Sequence, residues 1–319
     1  MSSLETLTHL QEPSHNSMKT FKITISILLP LMMILAVFAG CSSQTDNKPV
    51  ITVSIQPQKY FLDQIVGDKI DVKCLLSNGG NPEIYDPSFT HLMNVDRSIA
   101  YLRVGNVGFE EAILGRIQES NPDLKIISTS DGIDLIKGTH SHGDAKDDKM
   151  HEVDPHTWSS VKNARIIARN MLNAVVELDP SNAKYYRQNF ERFDARLDSL
   201  DKAYDTVLKG HRGESFMVMH PSLSYLARDY GLNQISIGQG GKESSVSMLQ
   251  NSIDNAVTNN ARVLFVQKNL DSRGADAINA GINAKRIEIN PLSYDWEAEM
   301  TRIVNALSTG GETIDGKSN

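Results

Sequence analysis

Four side chains in this sequence pair metal-binding chemistry with positions just beyond runs of β-forming residues: Glu83, His156, His220 and Asn290. A carboxylate and two imidazoles are familiar zinc ligands, whereas a neutral amide is a poorer donor to a transition metal. Taken singly, each has an ordinary role. Glu83 reads as a solvated loop acid, His156 as a loop histidine packed by Trp158, and His220 as a cap on a helix opening at Pro221. Asn290, ahead of Pro291, reads as a turn initiator. Only convergence in space makes them a site.

A second group lies in residues 139–151, where His140, His142 and His151 are interspersed with three aspartates. So polar a stretch cannot form a core and is expected as a surface loop. It reads either as an accessory collector of metal or as a polar spacer with incidental histidines.

Bringing the four residues together requires strands whose carboxyl ends share one crevice. Residues 51–55, 70–76, 99–104 and 124–127 read as strands, with helices over 59–66, near 88–97 and from 108 onward. The second half repeats the rhythm, with strands at 215–219, 233–236, 262–266 and 284–289. Its helices fall at 223–230, 246–257, 275–280 and 296–307. This alternation predicts an α/β fold of two lobes, each with a mostly parallel sheet between helices. Ligands of such sheets bind beyond the carboxyl ends of the strands. Glu83 follows the second strand, His156 the fourth after a long loop, His220 the fifth and Asn290 the eighth. Glu243 and Gln267 are further polar residues whose relation to the crevice the pattern leaves open.

Between the halves, Asp179-Pro180 supplies an N-cap and a first-turn proline. Tyr186, Phe190, Phe193, Leu197, Leu200 and Tyr204 then recur at helical spacing until Gly210. A helix over 181–209 would run about 40 Å and act as a rigid link between lobes. The expected organisation is a signal peptide over 1–40, an N-terminal lobe with its tether over 41–178, a linking helix over 179–210 and a C-terminal lobe over 211–319.

The first forty residues read as an address. Lys19 and Lys22 precede an apolar run over 23–40 that ends in Val37-Phe-Ala-Gly-Cys41. A charged segment, an apolar segment and small residues before a cysteine resemble a bacterial lipobox, with Cys41 as the lipidated residue. A retained membrane span is the alternative, but Pro30 and the polar stretch after Cys41 favour cleavage and a flexible tether. The net charge of −7 argues against a nucleic-acid partner. Cys41 and Cys74 sit in contexts too different to suggest a disulfide, and Cys74 is expected as a buried free thiol.

These features resemble the ZnuA/TroA-like family, the cluster A-I metal-binding lipoproteins of ABC transporters, over nearly all of the chain beyond the leader. Gly80-Asn-Pro-Glu-Ile-Tyr-Asp-Pro87 is similar to the family's Gly-x-x-Pro-His-x-Tyr-Glu-Pro segment. Gly105-Asn-Val-Gly-Phe-Glu110 is similar to its Gly-Leu-Gly-x-Glu turn. Asp154-Pro-His-Thr-Trp158, followed by Lys162-Asn-Ala164, is the most specific match. His220-Pro-Ser-Leu-Ser-Tyr225 resembles the segment carrying the third ligand, and Ile289-Asn-Pro-Leu292 stands where the family has Asp-Pro-Leu. The resemblance implies two lobes joined by one long helix, with a metal held between them. It also implies capture of zinc, with manganese or iron as the competing cargo, and delivery to an ABC permease. The ligand positions so carried over are Glu83, His156, His220 and Asn290. Glu83 replaces a family histidine and Asn290 an aspartate. The expected protein is a monomer outside the cytoplasm, anchored to the membrane by lipid, and not an enzyme.

Two other classes compete. Two histidines and a glutamate around an open position also describe catalytic zinc, although the sequence has no His-Glu-x-x-His motif. A passive surface lipoprotein or adhesin would use the same anchor and lobes.

Overall fold

The structure, a computed structural model, describes residues 48–76, 82, 85–137, 153–237, 246–268 and 272–311. The leader with Cys41, Glu83, Glu243 and the loop histidines His140, His142 and His151 lie outside the described residues.

Eight four- and five-residue strands form two parallel sheets. The first contains β1 (Val50–Val53), β2 (Asp71–Cys74), β3 (Ala100–Arg103) and β4 (Lys125–Ser128), in the order β2-β1-β3-β4. The second contains β5 (Ser215–Val218), β6 (Asn233–Ser236), β7 (Val263–Gln267) and β8 (Lys285–Ile289), in the order β6-β5-β7-β8. Both sheets therefore reverse direction once, between β1 and β3 and between β5 and β7. In open α/β sheets that reversal opens a crevice at the strand ends, because the flanking helices leave on opposite faces.

The connecting helices ahead of residue 179 are α1 (Gln56–Val66), α2 (Phe89–Asp96), α3 (Gly108–Ser120) and α4 (Val161–Leu178). After it come α6 (Ser224–Tyr230), α7 (Val246–Thr258), α8 (Ser272–Ile282) and α9 (Trp296–Ser308). Helix α1 starts three residues before the expected position because Pro57 suits a first turn and Gln58 supplies the missing acceptor. The Gln58 Oε1 receives the N–H groups of Ser54 and Ile55 at 3.0 and 3.3 Å. Helix α6 starts at Ser224 rather than Pro221, so His220 is not its cap. It closes at Gly231, whose φ of 71° is the left-handed conformation that glycine adopts without strain.

The long helix α5 (Ala183–Leu208) lies between the two sheet patterns in sequence. Asp179 does not cap it directly. A 3₁₀ turn over Pro180–Asn182 intervenes, and the Asp179 carboxylate accepts from Asn182 Nδ2 at 2.7 Å and Tyr186 Oη at 2.6 Å. A second 3₁₀ turn over Lys209–His211, containing Gly210, ends it. Its stripe of Tyr186, Phe190, Phe193, Leu197 and Tyr204 is buried against α1, α4 and α9. Arg196 on this helix donates to Glu297 at 2.8 Å and to Tyr60 at 3.0 Å, while Tyr60 donates to the same Glu297 oxygen at 2.8 Å. One guanidinium thus ties α5 to α1 of the first lobe and α9 of the second.

A single buried cluster runs from β1 and β3 through Trp158, α4 and α5 to Phe216, Val218, Val263 and Phe265 of the second sheet, and on to Trp296. A smaller one fills the other face of that sheet, with Met217, Leu264 and Val266 against α7 and α8. Alternation along β5 and β7 therefore sets one face toward the rest of the molecule.

The turn after β3 is built around Glu110, which is fully buried. Its carboxylate accepts the backbone N–H groups of Val104 at 2.7 Å and Gly105 at 2.8 Å, together with the Ser54 hydroxyl. Burial pushes this carboxyl up, and the three donors pull it back only in part. Cys74 is a free thiol, partly rather than fully buried, and burial pushes it up to about 12. Among the described residues, no helix is long and apolar enough to cross a membrane.

Candidate metal centre

His156 and His220 meet. Their Nε2 atoms lie 3.0 Å apart and the rings stand edge to face, with centroids 5.0 Å apart. The pair brings together residues 64 positions apart in sequence, one from each lobe.

His156 is held from several sides. It precedes a 3₁₀ turn over Thr157–Ser159, and Ser160 caps α4 by accepting the N–H of Asn163 at 3.0 Å. The Asp154 carboxylate takes both the backbone N–H of His156 at 2.9 Å and its ring Nδ1 at 2.8 Å. That arrangement assigns the proton to Nδ1 and leaves the Nε2 lone pair facing His220. The ring is 3% exposed. Burial pushes the Asp154 carboxyl up, but electrostatic attraction to the His156 ring and hydrogen bonds from His156 and Ser224 outweigh it and hold it below the usual range.

The second lobe fixes the same loop. Tyr225, on the helix that follows His220, donates its hydroxyl to the carbonyl of Asp154 at 2.6 Å. Arg228 reaches the carbonyl of Asp134 at 2.6 Å, and Asp229 accepts from the Ser160 hydroxyl. His220 itself leaves β5 at a bend and is half-buried, with Ser222 N–H folded back onto its carbonyl at 2.8 Å. A cavity of about 360 Å³ borders Asp154, His156 and Pro221.

Asn290 follows β8 as expected. Its backbone N–H donates to Glu299 at 2.7 Å, and the carbonyl of the next residue, Pro291, accepts the Trp158 indole N–H at 3.0 Å. The Asn290 backbone is thereby tied to the segment carrying His156. The geometry does not bring the Asn290 side chain into a hydrogen bond with either imidazole among the described residues. Glu83 lies outside them.

Two nitrogens bound to one tetrahedral zinc at 2.0–2.1 Å would be about 3.3 Å apart. The observed pair needs only a few tenths of an ångström of opening to accept such an ion, with both Nε2 atoms deprotonated. Among the described residues, no group of three or more His, Cys, Asp or Glu side chains is arranged to hold a metal. The imidazole pair is therefore the part of the candidate site that falls among the described residues.

Pattern reading missed Asp154 as the partner of His156 and Tyr225 as its clamp. The carboxylate two residues before the histidine, separated by a proline, was the available signal for the first. Nothing local marks Tyr225, since its role exists only across the lobes.

The chain is similar to known proteins over nearly its whole described length. The family described as "Zinc-uptake complex component A periplasmic" (ZnuA) matches residues 51–310. The "High-affinity zinc uptake system protein ZnuA" of Bacillus subtilis (strain 168) is 29% identical over 284 residues, covering 86% of this chain and 88% of that protein. The "Zinc-binding lipoprotein AdcA" of Streptococcus pneumoniae (strain ATCC BAA-255 / R6) is 26% identical over 296 residues; the match covers 89% of this chain but 58% of AdcA. Among solved structures, the crystal structure of ZnuA superposes with a TM-score of 0.76 at 32% identity, covering 83% of this chain and 100% of that one. A zinc-bound ZnuA deletion mutant gives 0.76 at 31% identity, covering 84% and 99%. With a match spanning so much of its sequence, and two lobes of the same architecture, the chain belongs to the ZnuA family.

Proposed function

We propose that this protein captures zinc outside the cytoplasm and delivers it to the permease of an ABC importer. The observation that carries the reading is the facing Nε2 pair of His156 and His220, with Asp154 behind the first ring. Such a pair suits a histidine zinc site, with the carboxylate as outer partner of the first ligand. The names of the relatives, a zinc uptake protein and a zinc-binding lipoprotein, support the same cargo.

In this reading His156 and His220 are ligands from opposite lobes, Glu83 adds a carboxylate, and Asn290 stands at the rim as a direct or water-mediated oxygen donor. The loop histidines His140, His142 and His151 act as an accessory collector. Residues 1–40 serve as a cleaved signal, Cys41 carries the lipid that tethers a monomeric protein, and residues 179–210 link lobes at 41–178 and 211–319. The ion is cargo, so the chemistry is ligation and release without turnover. Manganese or iron is the competing cargo, favoured by oxygen donors and disfavoured by two imidazoles.

Calorimetric titration of the purified, metal-stripped protein with zinc, and with manganese in competition, tests the assignment. One tight zinc equivalent at the cleft, retained when residues 139–151 are deleted, supports it. Preference for manganese, or no saturable site, overturns it.

A further inference from the structure

Buried polar side-chain atoms are nearly always hydrogen-bonded, because an unpaired one forfeits its water without compensation. Among the described residues two buried side-chain atoms have no partner: the Ser222 hydroxyl and the Gln267 Oε1. Both flank His220, one by sequence and the other by register. Ser222 follows His220 by two residues and folds its N–H onto the His220 carbonyl. Gln267 is the last residue of β7, the strand beside β5.

Met217 pairs with Leu264 and Val218 with Phe265, and the ladder continues as Met219 N–H bonds the Phe265 carbonyl at 3.0 Å. Two steps beyond Val218 and Phe265 stand His220 and Gln267. Phe265 and Val263 belong to the large shared core, Leu264 and Val266 to the cluster on the outer face. Alternation therefore puts Gln267 on the inner face, and His220, at the bend beyond Val218, turns toward His156. The two residues also bracket the reversal of strand order between β5 and β7, where sheets of this kind bind ligands. Gln267 is 8% exposed.

We propose that Gln267 is a positioning residue of the cargo site: its Oε1 accepts a hydrogen bond from a water carried by the ion on His220, with Ser222 as a second contact for that hydration. This rests on the zinc-binding reading above and deepens it. Water bound to a divalent ion is a strong donor, so a neutral amide oxygen that makes a poor direct ligand makes a good acceptor at one remove. Outer contacts of this kind typically change metal affinity by about 10–100-fold when removed. A water on the ion would give both polar atoms the partner that the protein itself does not supply.

That asymmetry gives the test two readouts of opposite sign. Gln267→Met, close in shape but without the acceptor, should weaken zinc binding by about tenfold or more. The same substitution should leave the melting temperature of the metal-stripped protein unchanged or raised. Gln267→Glu restores an acceptor and should recover most of the affinity. A Gln267→Met protein that binds zinc as wild type overturns the proposal. So does one whose metal-free form melts lower while Gln267→Glu fails to restore binding, since glutamine would then be a structural residue. Titration of wild type and His220→Ala alongside separates the two levels. Failure of Gln267 alone leaves wild-type zinc binding and its loss in His220→Ala intact, whereas wild type that does not bind zinc overturns both.

Discussion

Trp296 donates its indole N–H to the backbone carbonyl of Trp158 at 2.8 Å, and Trp158 passes its own indole N–H to the carbonyl of Pro291 at 3.0 Å. Both rings are fully buried, and they stitch the strand end carrying Asn290 to the turn carrying His156. The site proposed for zinc between the lobes requires ligands from two sheets to keep their spacing to within a fraction of an ångström. This crossed pair supplies that constraint behind the site, as Arg196, Tyr60 and Glu297 do along the long helix.

Removing one of these donors strands a buried carbonyl, which costs about 1–3 kcal/mol. Trp296→Phe keeps most of the apolar volume and should lower unfolding free energy by about that amount in urea denaturation. Trp158→Phe should do the same and also weaken zinc binding severalfold, because Trp158 lies two residues from His156. Equal zinc affinity in both variants and wild type would show that the pair supports the fold without setting the spacing of the ligands.

The ion pair between α4 and α5 predicts a pH dependence. Arg165 binds the Asp194 carboxylate with two nitrogens, at 2.8 and 3.0 Å, and Asp198 with a third at 3.1 Å. The guanidinium holds the Asp194 carboxyl below its ordinary value, with burial opposing. A carboxyl with a depressed folded pKa contributes stability above its unfolded value of about 3.9, and that contribution disappears as pH falls through the folded value. Asp194→Asn should therefore destabilise at pH 7 and close on wild type in acid, once the pH has fallen through the folded value. The pair is partly solvated, so the difference at neutral pH should stay near 1 kcal/mol or less. Chemical denaturation at neutral pH and in acid checks it; a gap that persists unchanged in acid would assign the effect to packing.

His156→Ala and His220→Ala should each reduce zinc affinity by about 100-fold or more, since in the proposed site each removes a ligand outright. Their effects on the metal-free fold should differ. His156 is buried and satisfies Asp154, so its loss leaves a buried carboxylate short of a donor, at about 1–3 kcal/mol. His220 is half-buried at a bend and should cost less. Titration calorimetry with thermal melts separates the two effects, and near-wild-type zinc binding by both variants would remove the imidazole pair as the site.

Much of this was legible from local pattern. All eight strands lie within two residues of the expected bounds, because short β-branched runs between turn residues are a strong signal when helices alternate with them. The position of His220 at a strand end needed only that map. The meeting of His156 and His220 did not follow from it, since convergence depends on how two sheets are set against each other. Helix α6 starts at Ser224, within one residue of the expected 223, and the two residues that separate it from Pro221 are what rule out the alternative reading of His220 as its cap. Asp154 was within sight of His156, yet a carboxylate near a histidine becomes a partner only when the intervening proline turns the chain back. Gln267 showed only as a polar residue at the end of an apolar strand, and its lack of a partner is a property of packing alone.

Asp154→Asn isolates the contribution of the carboxylate behind His156, the proposed ligand. The asparagine Oδ1 can still accept the Nδ1–H of His156, so the ring keeps its orientation, but the negative charge that makes Nε2 a stronger donor is gone. Zinc affinity should fall by about tenfold, toward the low end of what outer partners of histidine ligands contribute. Asp154→Ala, which removes the acceptor as well, should fall further and free the ring to rotate or change tautomer. Titration of both variants against wild type gives the order, and ¹⁵N chemical shifts of the His156 ring report the protonated nitrogen directly. If Asp154→Ala and wild type bind zinc equally, with Nδ1–H populated in both, the tautomer is fixed by the lobes alone and the carboxylate serves only the loop.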